Sequence, residues 1–384
     1  MSDLSCGIFY RIKRACAREE RQSMLLTDRR TYRQTDRILW LDYARTFAIL
    51  TVILVHATEN IYVMDAAHLN DMSLQSRLFA ISMFTVGRLG VPLFLFLTGY
   101  LLLDRSFDNE STCRFWRKNW LGLLLTTEVW IVIYDVFLRI FHFQHWSTNG
   151  LIKNMLFINQ VHMGHMWYMP MIIGLYICIP FAARALKKIN LRTIMFPFIL
   201  LAFYAFGLPS YNAWGGVFHH HLDPARLDLG FSGGLYGLYL VLGLCIKRGL
   251  LQKLSTDCIE VSTFIFFTLT VLSQWFSLYH GVTYNVWYDF APLVFCSLFL
   301  FELLSRFSAQ VFRKSSYWIS KNSFGIYLVH YPVLMLLKPI IAGISLIMPI
   351  KVCLLWTVVI VISVITCRVI DCSTKLGQIL LYNK

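Results

Sequence analysis

The sequence predicts an all-α fold: a polytopic membrane protein of about ten transmembrane helices with both termini cytosolic. Three observations carry that prediction. Of 384 residues, 57% are hydrophobic and only 15% are charged, and the mean hydropathy is +0.58. Apolar runs long enough to cross a hydrocarbon core of ~30 Å recur along the chain. Lys and Arg gather in alternate connections, 27 of the 35 on one side and 5 on the other, with Arg45, Arg88 and Arg139 inside spans. The positive-inside rule then puts the amino terminus in the cytosol. The net charge of +14 therefore reports topology and implies no nucleic acid partner.

Residues 1–37 hold nine of the basic residues before any long apolar run. They read as a basic cytosolic tail near anionic headgroups, not as a cleavable leader. A membrane domain follows over 38–371, and 372–384 read as a short cytosolic tail. Spans are expected at 38–62, 77–103, 119–141, 166–183, 193–209, 231–246, 258–279, 288–305, 322–341 and 350–370. In this topology Arg114, Lys187 and Lys314 are cytosolic, while His145, His220 and His280 face outwards. The ten cysteines fall in spans or on the cytosolic side, so no disulfide framework is expected.

The first span, RILWLDYARTFAILTVILVHATENIYV from Arg37, carries Asp42, Arg45, His56 and Glu59. Ionisable groups at membrane depth are costly and turn towards protein or water. Arg45 and His56 are eleven residues apart, which places them within about 20° around a helix and roughly 16 Å apart along it. Asp42 sits three residues before Arg45 and Glu59 three after His56, so each pair shares a face. This polar stripe is either the packed side of a bundle helix or a reaction or transport path, and four groups favour the path.

The second span places Arg88 near mid-membrane, where a lone arginine needs a partner or an anion. Before the third span, Arg114-Phe-Trp-Arg117-Lys118 sets three cations beside two aromatics. That cluster suits phosphate binding or simple stop-transfer. The third span carries Glu128, with Asp135 and Arg139 as an i,i+4 pair. Outer loops hold His142, His145, His162 and His165, then His219, His220 and His221. Three adjacent histidines cannot all face one metal, and no metal is predicted. Trp146, Trp167, Trp214 and Trp287 suit an interfacial aromatic belt or a carbohydrate-facing surface. The ninth span places His330 near mid-membrane.

Over residues 38–370 these pieces resemble the acyltransferase 3 family of membrane proteins. Its mark in the first span, a basic residue, ten others and a histidine, is matched by Arg45 to His56. RLGVPLFLFLTGY from Arg88 is similar to its second-span pattern, with Thr98 where serine is usual. Arg114-x-x-Arg117 resembles its cytosolic RxxR motif, and His165-Met-Trp167-Tyr168 and SFGIYLVH (Ser323 to His330) resemble two later blocks. The hydrolase-like C-terminal domain of some members is not seen in these residues, and Glu59 is not a family-wide feature.

The resemblance implies O-acyl transfer, most simply O-acetyl transfer, in a bacterial inner membrane. The donor would be acetyl-CoA or another acyl-CoA in the cytosol. The acceptor would be a sugar hydroxyl of a surface polysaccharide or its lipid-linked precursor. Arg45, Arg114, Arg117 and Lys118 would hold the CoA phosphates. His56 would act as general base or acyl carrier, Glu59 would orient it, and Arg88 would stabilise the oxyanion. His165, Trp167, Tyr168 and His330 would meet the acceptor. The rival reading is a carrier or flippase for a lipid-linked sugar or small anion, which uses the same charges without a covalent step. The RxxR cluster and the Arg-to-His spacing favour the transferase.

Overall fold

The spans emerge close to where the apolar runs place them. In the computed structural model, residues 38–144, 147–159, 163–220, 222, 234–308 and 311–382 are described. The basic tail, His145, Trp146, His162 and His221 lie outside the described residues. Among the described residues, eight helices are long and apolar enough to cross a membrane: α1 (Leu39–Ile61), α2 (Leu74–Leu102), α3 (Asn109–Ile140), α4 (Tyr168–Leu186), α5 (Leu191–Phe218), α7 (Thr256–Tyr279), α9 (Ser323–Ala342) and α10 (Met348–Asp371). Two shorter apolar helices, α6 (Gly234–Lys247) and α8 (Ala291–Ser305), complete the set matching the ten expected spans. No strand occurs among the described residues.

Burial sorts these helices. The apolar windows of α1 and α2 are 61% and 67% buried, against 22% for α5 and 28% for α10. The two central helices touch through glycine: a methyl group at Gly87 would come within 2.5–2.6 Å of Val55, including its backbone. Without a hydrophobic drive between helices in lipid, such small residues permit close backbone packing. Arg88 is thereby carried to the level of His56. Pro92 has no N–H for the Arg88 carbonyl, and the helix is interrupted at Leu89. Farther along, Gly99 and Gly243 bring α2 and α6 together, since a methyl on either would overlap the Leu240 or Phe96 carbonyl.

The connections lock at two ends. At one, Arg184 donates to the Phe107 carbonyl at 2.8 Å, Arg248 to that of Ile189 at 2.7 Å and Arg306 to that of Leu251 at 3.0 Å. At the other, Asn70 donates to the Leu278 carbonyl at 2.7 Å and Asn285 to that of Met64 at 2.8 Å. Loops assigned to one side by the basic asymmetry thus meet one another. Asp135 and Arg139 form a buried pair at 2.7 Å, with Gln144 and the Ser147 carbonyl as further partners. The stretch after α10, expected as a tail, contains a docked helix, Thr374–Leu380. Thr126 and Trp130 on α3 donate to the Ile379 and Leu380 carbonyls at 3.1 and 2.8 Å.

Candidate active site

The polar stripe of α1 survives folding, with its ends in different surroundings. Near the start, Asp42 is 2% exposed, accepts from Ser320 Oγ at 2.7 Å and faces Arg45 at 3.7 Å. Near the end, His56 Nδ1 lies 2.5 Å from Glu59 Oε1. A carboxylate only accepts, so Nδ1 carries the proton of this contact and Nε2 is the nitrogen turned away from Glu59. A carboxylate is thus already in place beside the His56 ring.

Two further histidines join it. The His330 ring stacks on that of His56 with centroids 5.5 Å apart, and His165 stands 6.4 Å from His56 and 5.0 Å from His330. All three are buried. They arrive from α1, α9 and the turn before α4, so 274 positions of chain, from 56 to 330, separate the outermost two. Tyr331 packs on both His56 and His165, at 5.2 and 4.8 Å.

The tautomers follow from the partners. His330 Nδ1 is 2.5 Å from the Tyr327 carbonyl, which can only accept. His330 is therefore protonated on Nδ1, and its Nε2 carries a lone pair. Near His165, Pro332 lacks the N–H that would bond the Leu328 carbonyl within α9. Tyr134 fills that place, donating its hydroxyl to the Leu328 oxygen at 2.7 Å. With its proton so used, Tyr134 accepts at 3.2 Å from His165 Nε2, which must be the protonated nitrogen. His165 Nδ1 and His330 Nε2 have no protein partner among the described residues. Leaving a buried acceptor unpaired costs ~1–3 kcal/mol, so such atoms ask for a ligand or ordered water. Burial, with help from His330 and His56, holds the His165 imidazole well below its ordinary range.

Arg88 supplies the cation. Its guanidinium lies over Trp287 at 4.4 Å and Phe84 at 4.6 Å, and Nη1 donates to Tyr288 Oη at 3.4 Å. Arg88, Glu59 and Tyr288 lie within electrostatic reach of one another. Nε of Arg88 has no protein hydrogen-bond partner among the described residues. Trp167 continues this aromatic wall, 5.3 Å from Trp287 and 5.5 Å from Tyr288.

A cavity of about 270 Å³ lies towards the start of α1. Arg45, Arg105, Asn119 and Tyr382 line one part, and Val52, Val91, Tyr168 and Tyr327 another. Val52 is about one helical turn from His56, and Val91 about one turn from Arg88. Tyr327 connects the two regions: it lines the cavity, stands 4.9 Å from the His165 ring and donates to the His165 carbonyl at 2.5 Å.

The structure therefore gathers His56, Glu59, His165 and His330, with Arg88 and Trp167 along one wall and Tyr168 towards the cavity. Arg45 lines the cavity. Arg114, Arg117 and Lys118 are exposed, and none lines it. Arg114 pairs with Glu110, and the π-helical turn Trp116–Trp120 brings Asn119 to the cavity. His219 and His220 are exposed and lie outside this cluster. Sequence reasoning missed Arg105, Tyr134, Tyr331 and Tyr382. Tyr327 was legible as a helical neighbour of His330, three residues before it, whereas Tyr331, one residue after, is turned about 100° away. Tyr134 and Tyr382 gave no such signal.

Comparison with known proteins adds three findings. Residues 38–370 match the family model described as an acyltransferase domain, Acyl_transf_3. The putative peptidoglycan O-acetyltransferase YrhL of Bacillus subtilis (strain 168) is 23% identical over 351 residues, covering 78% of this chain and 49% of that protein. The chain thus spans about half the length of that relative. No solved structure matches the chain.

Proposed function

We propose, since this chain belongs to the acyltransferase family whose model spans its residues 38–370, that it is a membrane O-acyltransferase moving an acyl group from cytosolic acyl-CoA to a sugar hydroxyl. The observation that carries the proposal is the His56–Glu59 pair, set one turn beyond a cavity with Arg45 and Arg105 in its wall. CoA phosphates would pair with those cations while the acyl thioester reaches towards His56. His56 Nε2 takes the proton of the sugar hydroxyl as its oxygen attacks the thioester carbonyl, and Glu59 balances the imidazolium. Arg88 is the cation available to the tetrahedral oxyanion. As the intermediate collapses the carbon–sulfur bond breaks, and the thiolate takes the proton back from His56. In the variant route His56 Nε2 itself accepts the acyl group before passing it on.

Acetyl-CoA is the simplest donor. The curated relative is named for a glycan, peptidoglycan, and the motif blocks here resemble those of the O-acetyltransferase of enterobacterial common antigen. A sugar hydroxyl exposed beyond a bacterial inner membrane suits both. The asymmetry of basic residues orients the cavity's basic part towards the cytosol. An impermeant thiol reagent should then label His220→Cys and His280→Cys in cells with a permeabilised outer envelope but spare Arg114→Cys. The reverse pattern inverts the orientation. The activity is tested by transfer of radiolabel from acetyl-CoA into lipid-linked or polymeric glycan, in membranes with and without the protein. Unchanged labelling together with impaired transmembrane movement of the sugar lipid would instead support a carrier.

A further inference from the structure

We propose that the lone pairs of His330 Nε2 and His165 Nδ1 select a second hydroxyl of the acceptor, on the carbon next to the acylated one, whose single proton goes to one of these two nitrogens, so that the site selects a vicinal diol. The proposal rests on the transferase reading and deepens it.

Three imidazoles meet here, and among the described residues only one has a carboxylate against it. Glu59 lets His56 become an imidazolium during the reaction. His330 faces the Tyr327 carbonyl and His165 the Tyr134 hydroxyl, so neither has a counter-ion bonded to it among the described residues. A proton on either would leave a cation in a dry site without compensation. These two rings are fixed as neutral acceptors, each with one lone pair without a protein partner among the described residues.

What they lack is a hydrogen-bond donor. Around the reacting carbon, the acyl thioester offers a carbonyl oxygen and a sulfur, which only accept. A sugar offers hydroxyls. One gives its proton to His56, and its neighbour on the ring is the nearest donor left. The His330 ring is stacked on the His56 ring at 5.5 Å between centroids. Adjacent hydroxyls each reach ~2.8 Å to a nitrogen acceptor, so one diol can serve two neighbouring rings. His165, its ring 5.0 Å from that of His330, offers the alternative acceptor for the second hydroxyl's proton. An isolated alcohol would leave both nitrogens unpaired, and so would a sugar whose neighbouring oxygen is capped.

The test uses the full chain in lipid nanodiscs with radiolabelled acetyl-CoA. The probe acceptors are a vicinal trans-cyclohexanediol, its monomethyl ether and cyclohexanol. The wild type should acetylate the diol about tenfold to a hundredfold faster than either mono-alcohol. His330→Phe and His165→Phe each keep a ring but lose the acceptor, and the double variant should bring that ratio within about threefold of unity. His330→Gln, whose amide oxygen still accepts, should retain part of the preference. The readout is a ratio between acceptors within one preparation, so loss of folded protein does not move it. The wild-type ratio decides by itself if a variant fails to insert.

Equal wild-type rates overturn the proposal, as does a diol preference that survives the double variant. Failure to use the diol in nanodiscs, while native membranes carrying the protein label their own glycan, also overturns it. A change in acetyl-CoA KM that is the same for all acceptors places the nitrogens against the donor and overturns it too. If the wild type moves no label to the alcohols or to native glycan, the transferase reading itself fails.

Discussion

The histidine cluster and the cationic turn in the first part of α3 are both recognisable as motifs, yet folding treats them oppositely. His56, His165 and His330 are buried, each with one ring nitrogen held by a named partner. Arg114, Arg117 and Lys118 are exposed, with Arg114 tied to Glu110 on its own helix. The difference comes from cost. A polar group at membrane depth must be compensated, so its presence there demands a reason. Cations at the inner surface already have one, because they set orientation. Depth therefore makes a motif informative about chemistry, and the surface leaves it ambiguous.

The largest expected effect lies in the cluster. His56→Ala should lower acyl transfer by ~10²–10⁴ if His56 is a general base, and should abolish it if His56 carries the acyl group. Acyl incorporation per unit of inserted protein measures it, and near-normal transfer would remove α1 as the reaction axis. Glu59→Gln should cost less, about tenfold to a hundredfold, because it removes one charge-assisted contact but keeps an oxygen for Nδ1–H. A loss as deep as that of His56→Ala would show that the charge of Glu59, more than its orienting bond, is what the reaction needs.

The fold was legible because hydropathy and the alternation of basic residues are both written locally. The site was legible in part for the same reason. Arg45, His56 and Glu59 share one helix, and their register follows from 3.6 residues per turn. What the spacing leaves unstated is which distant groups meet. The sequence expects His330 near mid-membrane but says nothing of its meeting the His56 ring, a contact that depends on how α1 and α9 pack. The route from Pro332 through the Leu328 carbonyl and Tyr134 to His165 needs three segments at once. Arg105 has no motif or spacing that ties it to the first span, and only the cavity joins it to Arg45.

Donor binding gives the next smaller effects. Arg45→Gln with Arg105→Ala removes the two cations of the cavity wall, and glutamine keeps a polar group beside Asp42. Loss of a charge-assisted phosphate contact is worth ~1.5–3 kcal/mol, so acyl-CoA KM should rise about tenfold or more with His56 chemistry intact. An unchanged KM would detach the cavity from the donor.

The smallest effect is expected where the family motif is most visible. Arg114→Ala with Arg117→Ala touches two exposed side chains outside the cavity, one engaged by Glu110. A solvent-exposed pair of this kind contributes ~0–1 kcal/mol and is screened by salt, so acyl-CoA KM should change by less than about fivefold. The measurement is donor saturation at two ionic strengths, with inserted protein quantified in parallel. A rise of tenfold or more, growing as salt is lowered, means that the CoA phosphates extend beyond Arg45 and Arg105 onto this turn. The cationic turn would then join the histidine cluster as part of one continuous site, and exposure would cease to separate them. A change that appears only in the amount of inserted protein would leave the turn with orientation as its whole task.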